Sequence, residues 1–144
     1  MRVDDDLRDC YPAVADSVPR AREAVAAVAA SAGATDERLD RVRLAVSEAV
    51  TNAVVHAYGG GDGEIEVRAE IEDEELRVEV DDDGCGLQPW HRQGLGLGLA
   101  LMALSSDGFT LWERPSGGMG VKLAFRLNSG GPAAGGAESV AHIG

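Results

Sequence analysis

The order of hydrophobic patterns predicts an α+β fold, a two-layer α/β sandwich whose helices cover one face of a mostly antiparallel sheet. Three observations predict it. Two amphipathic helical patterns are followed by two alternating segments, one further helical pattern and two more strand-like segments. The alternating segments are apolar on one side and polar on the other, as suits an antiparallel sheet packed on a single face. A chain of 144 residues fits one domain with one core.

The segment 2–13 has room for a short edge strand. Ser17 is placed to cap a helix beginning near Pro19, a residue tolerated in a first turn. That helix runs through Ala24, Val25 and Val28 and ends before Gly33. Thr35 caps a second helix, with Asp36 and Glu37 at its positive end. Its core stripe is Leu39, Val42, Val46, Ala49, Val50, Ala53 and Ala57, and Gly59-Gly60-Gly61 stops it. Residues 64–71 and 76–80 alternate with period two, and Asp73-Glu74 between them predicts a hairpin whose tip is the solvated acidic run 72–75. A glycine-rich loop and a short helix over about 97–106 come next. Strands over 109–113 and 121–127 follow, joined by a turn over 115–120, with Trp112 assigned to the sheet core. From Asn128 onward Gly, Ala and Ser leave little to bury, so the expected division is a domain over 1–127 and a disordered tail over 128–144.

Acidic residues outnumber basic ones by 25 to 13, and the resulting net charge of −12 repels nucleic-acid backbones and anionic membranes alike. No apolar run is long enough to span a bilayer, and no basic-then-apolar leader is present. Cys10 and Cys85 make no disulfide framework, so a reducing cytoplasm is expected. No Cys or His pair has the spacing of structural zinc. Aromatic residues are too scarce for a base-stacking platform.

Three segments carry chemistry. Glu48, Asn52 and His56 recur every fourth residue of the second helix. A step of four drifts only ~40° on a helix, so they form one ridge beside the buried stripe. Such groups are costly there unless paired, which points to a ligand; the other reading is an ordinary solvated helix face. An asparagine oxygen suits magnesium, and a glutamate one turn earlier can take a proton from an attacking hydroxyl or water. The second segment, Val80-Asp81-Asp82-Asp83-Gly84-Cys85-Gly86, ends a strand in carboxylates followed by glycines. A carboxylate here can accept a hydrogen bond from an exocyclic amino group, as on adenine; the alternative is a plain acidic turn. In the third, Gly94-Leu95-Gly96-Leu97-Gly98-Leu99-Ala100-Leu101-Met102, glycines lead into a helical pattern whose first N–H groups can hold phosphate oxygens. It fits neither the Rossmann spacing nor a Walker loop.

Together, in this order, the three resemble the ATP-binding Bergerat fold of the GHKL superfamily, shared by type II topoisomerases, sensor histidine kinases, MutL and large heat-shock chaperones. Within it the motifs are most similar to those of bacterial anti-sigma-factor serine/threonine kinases, the switch-protein kinases of sporulation and stress control. Ser47-Glu48-Ala49-Val50-Thr51-Asn52-Ala53-Val54-Val55-His56 resembles their first ATP-site motif, Asp82-Asp83-Gly84-Cys85-Gly86 the Asp-x-Gly-x-Gly motif, and Gly96 to Met102 the phosphate loop. The likeness spans residues 7–127.

The resemblance implies ATP and Mg2+ as ligands, with Asn52 holding the magnesium that bridges the phosphates and Glu48 as base. It implies Asp82 on the adenine amino group and Gly84 and Gly86 shaping the purine slot. Gly94, Gly96 and Gly98 would line the phosphates, with Leu99 in the same nucleotide-binding loop, while His56 either contacts phosphate or closes the helix. Arg20 and Arg22 lie where such kinases dock partners, or are simply solvated arginines. The implied activity is phosphorylation of an anti-anti-sigma (STAS-like) protein by a homodimer that otherwise sequesters a sigma factor. The alternative is a non-catalytic, nucleotide-gated module that clamps a regulatory protein. Two departures stand out. The family's glycine–threonine pair is replaced by Gly118-Met119-Gly120-Val121, without a hydroxyl, and only the seven residues 87–93 form the lid. In that lid His91 or Arg92 is the candidate basic ligand, whereas Pro89 and Trp90 are packing residues.

Overall fold

Five antiparallel strands, β1 (Leu7–Pro12), β2 (Glu64–Glu72), β3 (Glu75–Asp82), β4 (Gly108–Glu113) and β5 (Met119–Arg126), form one sheet in the order β1-β2-β3-β5-β4. The computed structural model describes residues 6–57, 63–83, 92–115 and 117–127, with the side chains at 56, 57 and 92–96 outside that description. The expected tail over 128–144 and the Gly59-Gly60-Gly61 stop also lie outside it.

Strand β1 (Leu7–Pro12) is an edge strand on β2, and helix α1 (Ser17–Ser31) follows it. Ser17 does not cap this helix. The N-cap position is Asp16, which makes no side-chain capping bond, while the buried Ser17 donates its hydroxyl to the Pro12 carbonyl at 2.6 Å. The helix starts earlier than expected because Pro19, as third residue, still occupies a first-turn position whose N–H has no helical partner. At the other end Gly33 takes φ +95°, its N–H bonding Ala30 and that of Ala34 bonding Ala29, so the last carbonyls are satisfied by a Schellman turn.

Helix α2 (Asp36–Asn52) is capped as expected, the Thr35 hydroxyl accepting from the Arg38 N–H at 3.2 Å. Val42, Ala45, Val46, Ala49 and Val50 are buried along it. The helix does not run on as α to Ala57, because Ala53–Ala57 forms a π turn. Two adjacent β-branched residues, Val54 and Val55, crowd an α-helical turn there, and π turns recur where helices serve a site.

Strands β2 (Glu64–Glu72) and β3 (Glu75–Asp82) pair from Ile65↔Asp82 to Glu72↔Glu75. Helix α3 spans Arg92–Ser105, so it begins before the expected 97 and takes in Gly94 and Gly96, expected in the loop, as well as Gly98. Each glycine in a helix costs roughly 1 kcal/mol against alanine, which is why propensity alone misplaced this boundary. Strands β4 (Gly108–Glu113) and β5 (Met119–Arg126) complete the sheet.

Ile65, Val67, Val78, Val80, Leu123, Phe125, Phe109 and Leu111 share one core with the helices. Each such side chain contributes ~1.5–3 kcal/mol when fully buried. The opposite face carries charge: Arg68 pairs with Glu79 at 2.7 Å and Asp81 at 3.2 Å, and Arg8 with Glu66 at 2.9 Å. Trp112 belongs to this face and not to the core. It is out of phase with Phe109 and Leu111, its ring lying over Gly120 and beneath the Lys122 ammonium at 5.9 Å.

Candidate functional site

Glu48 and Asn52 stand on consecutive turns of α2, half-buried beside Ala45, Ala49 and Val50. Helix α3 crosses them at its buried Gly98. A Cβ on Gly98 would lie 3.1 Å from Glu48 Oε1, 3.1 Å from Asn52 Nδ2 and 3.2 Å from Asn52 Oδ1. A carboxylate and a carboxamide therefore converge on one stretch of helix backbone. Asn52 Nδ2 is buried and has no hydrogen-bond partner among the described residues. An unsatisfied buried donor costs about 1–3 kcal/mol, so this amide is poised for an acceptor such as a phosphate oxygen. The described ridge ends there, since the His56 backbone falls in the π turn and its side chain is outside the description. Leu99 is half-buried and packs against the core.

Asp82 ends β3 on the helix-covered side of the sheet, in phase with Val78 and Val80 and only 5% exposed. Its Oδ1 accepts the Met119 backbone N–H at 3.2 Å. The segment lacking the family's threonine hydroxyl thus meets this carboxylate with a backbone donor. Arg114 Nη1 donates to the Asp82 carbonyl at 2.8 Å and to Asp83 Oδ1 at 2.9 Å. Gly118 lies so close that a Cβ would collide with the Asp82 carbonyl and come within 2.7 Å of Asp83 Cα. Gly84, Cys85 and Gly86 lie outside the described residues.

Asp81 points to the charged face and is 4% exposed. Burial, aided by a hydrogen bond and the charge of Glu79, pushes its pKa up to about 7 against the opposing pull of Arg114 and Arg68. Its Oδ1 is buried without a partner among the described residues.

The two halves of the site share one end of the sheet. The π turn after Asn52 packs against β3, and the chain rejoins the sheet at Glu64, next to Ile65, the register partner of Asp82. Gly94 and Gly96 lie in the first turns of α3, ahead of the Gly98 crossing. Arg20 is exposed and stacks over the Tyr11 ring at 6.0 Å. Arg22 is half-buried, bonding Glu23 at 3.0 Å and reaching the Ser47 hydroxyl, just before Glu48, at 3.5 Å. Sequence reasoning missed Arg114, Gly118 and the Met119 amide as partners of Asp82; the glycines flanking Met119 were the one available signal.

The fold and the three segments agree with the family comparison. Residues 11–125 match the sequence model of the histidine kinase-like ATPase domain, and the chain belongs to that family. It is an ATP-binding α+β domain of the GHKL type. No curated protein matches it. Among the described residues no helix is long and apolar enough to cross a membrane.

The donor set fits the ions such domains use. The Asn52 carboxamide oxygen is a hard ligand suited to magnesium, an ion that would take its other ligands from phosphate and water. Among the described residues no three His, Cys, Asp or Glu gather as a metal site.

Proposed function

We propose that this chain is an ATP-dependent serine/threonine protein kinase of the anti-sigma-factor type. It transfers the γ-phosphoryl group to a hydroxyl of an anti-anti-sigma partner and, when that partner is already phosphorylated, sequesters a sigma factor. The observation that supports this most is the convergence of Glu48 and the orphaned Asn52 amide on Gly98, at the sheet end where Asp82 closes β3.

In this reading Asp82 accepts the adenine amino group and Gly84 and Gly86 flank the purine. Asn52 directs its amide at the phosphates, and Asn52 Oδ1 is the protein's ligand to magnesium. Magnesium held by Asn52 would supply charge neutralisation at the phosphates. Glu48 takes the proton of the attacking hydroxyl as its oxygen bonds the γ-phosphorus and the bond to the β–γ bridging oxygen breaks, releasing ADP. The free N–H groups of the first turn of α3, that of Gly94 among them, line the phosphates, Gly96 and Gly98 let the helix lie close to the nucleotide, and His56 stands at the end of the ridge. Arg20 and Arg22 on α1 dock the partner protein, and the working unit is a homodimer.

The test is a titration of ATP and ADP, with and without magnesium, of wild type and Asp82→Asn, followed by transfer from labelled ATP to candidate partners. Wild type should bind and Asp82→Asn should lose most of its affinity. Glu48→Ala should abolish transfer while largely keeping binding, because a base acts in the transition state more than in the ground state. Equal binding by wild type and Asp82→Asn would remove Asp82 from the purine contact.

A second reading is a nucleotide-gated module that clamps a regulatory protein without phosphoryl transfer. The seven-residue lid over 87–93 and the absence of a hydroxyl in Gly118-Met119-Gly120-Val121 favour it. Binding without transfer to any partner, unchanged by Glu48→Ala, would establish this alternative.

A further inference from the structure

Strand β3 ends in three consecutive carboxylates, Asp81, Asp82 and Asp83. Like charges so close repel, and the last β3–β5 pair is Asp81↔Gly120, so the Asp82 carbonyl reaches beyond that ladder. On its other side Asp82 pairs with Ile65 of β2, so it is the β5 side of the strand end that calls for a further support.

The β4–β5 hairpin supplies the support. Its turn is closed by Arg114 N–H to the Gly118 carbonyl at 2.7 Å and Gly117 N–H to the Arg114 carbonyl at 2.8 Å, with Gly117 at φ +106°. The Arg114 guanidinium bonds both the Asp82 carbonyl and the Asp83 carboxylate. Gly118 lets the turn lie against the strand, and Met119 then delivers its N–H to Asp82 Oδ1. Main chain and carboxylate of Asp82 are thereby held from one hairpin.

We propose that Arg114 is a positioning residue for nucleotide recognition: its guanidinium fixes the end of β3 so that Asp82 presents its carboxylate to the purine amino group. The proposal rests on the reading of Asp82 as the purine contact. A planar, permanently charged guanidinium is suited to holding two oxygens at once, which a lysine ammonium does with less fixed geometry.

The experiment compares the affinities of the full chain for ATP and for purine riboside triphosphate, which lacks the 6-amino group. A structural weakening lowers both affinities together, whereas a loss of position at Asp82 lowers the preference for ATP. Wild type should prefer ATP by about tenfold, the worth of one hydrogen bond to a charged group. Arg114→Met should cut that preference to about twofold while changing purine riboside triphosphate affinity by less than about threefold, and Arg114→Lys should fall between. An Arg114→Met protein that keeps the wild-type preference overturns the proposal. Wild type that binds neither compound, or both equally, removes the purine contact itself and the clamp with it. Should Arg114→Met not fold, Asp83→Asn serves instead, since that side chain is 67% exposed and supplies one of the two acceptors. It should reduce the preference by about half, and an unchanged preference overturns the proposal.

Discussion

The two ends of β3 are built differently. At its start the strand leaves a two-residue turn in which Asp73 and Glu74 take φ of +56° and +63°, and Arg77 bonds Glu72 at 2.8 Å and Glu75 at 3.1 Å. Those side-chain contacts are made by residues at most 5 apart in the chain. At its finish Asp82 and Asp83 are held by Arg114 and Met119, 31 to 37 residues away, with Gly118 in backbone contact. One end is a local structure that forms with its own neighbours. The other is completed by contacts from the β4–β5 hairpin, so this part of the candidate site is non-local in the chain.

The comparison can be broken most forcefully at Gly118. Gly118→Ala sets a Cβ into the Asp82 carbonyl, where only main-chain movement gives relief, and should cost about 3 kcal/mol in urea unfolding. A loss under about 0.5 kcal/mol would mean that the hairpin is not seated on the strand end.

Gly120→Ala is the next largest. The new methyl enters the Trp112 ring, for an expected loss of about 1–3 kcal/mol. The same change in a Trp112→Leu background should cost far less, because the colliding ring is gone, and additive losses would separate the two residues.

A smaller effect should follow pH at Asp81. Its folded value of about 7 lies above the ~3.9 of unfolded aspartate, so the folded state holds the proton more tightly. Stability from this group is present below about pH 4 and is lost as pH rises toward 7. Melting temperatures of wild type should therefore fall relative to Asp81→Asn across that window and run parallel above it. Parallel profiles throughout would show that Asp81 titrates normally.

The smallest change is a gain at the local end. Glu74→Gly removes a non-glycine residue from the left-handed region and creates the Asp-Gly pair that such turns favour, for up to about 1 kcal/mol of added stability. A loss instead would mean that the Glu74 side chain supports the turn.

This difference also explains what could be read in advance. Alternation located β2 and β3, Thr35 with Asp36 and Glu37 marked the start of α2, and Gly33 marked the end of α1; all are signals within a few residues. The same spacing rules brought out Glu48 and Asn52, and the Asp-x-Gly-x-Gly likeness singled out Asp82. Local signals failed where a distant neighbour decides. Trp112 reads as core until Gly120 is known to lie beneath its ring, and nothing in the sequence singles out Arg114 until β5 is brought into register with β3. The glycines of α3 argue against helix, yet Gly98 is accommodated because its missing side chain admits Glu48 and Asn52.

Trp112 carries a practical consequence. Its indole covers Gly120, which faces Asp81 across the ladder, so the chain has a natural fluorophore beside the strand end that Arg114 secures. With Trp90 changed to Phe it becomes the single tryptophan. Its emission maximum and quenching by iodide then give a label-free optical signal of whether that strand end is docked or sprung.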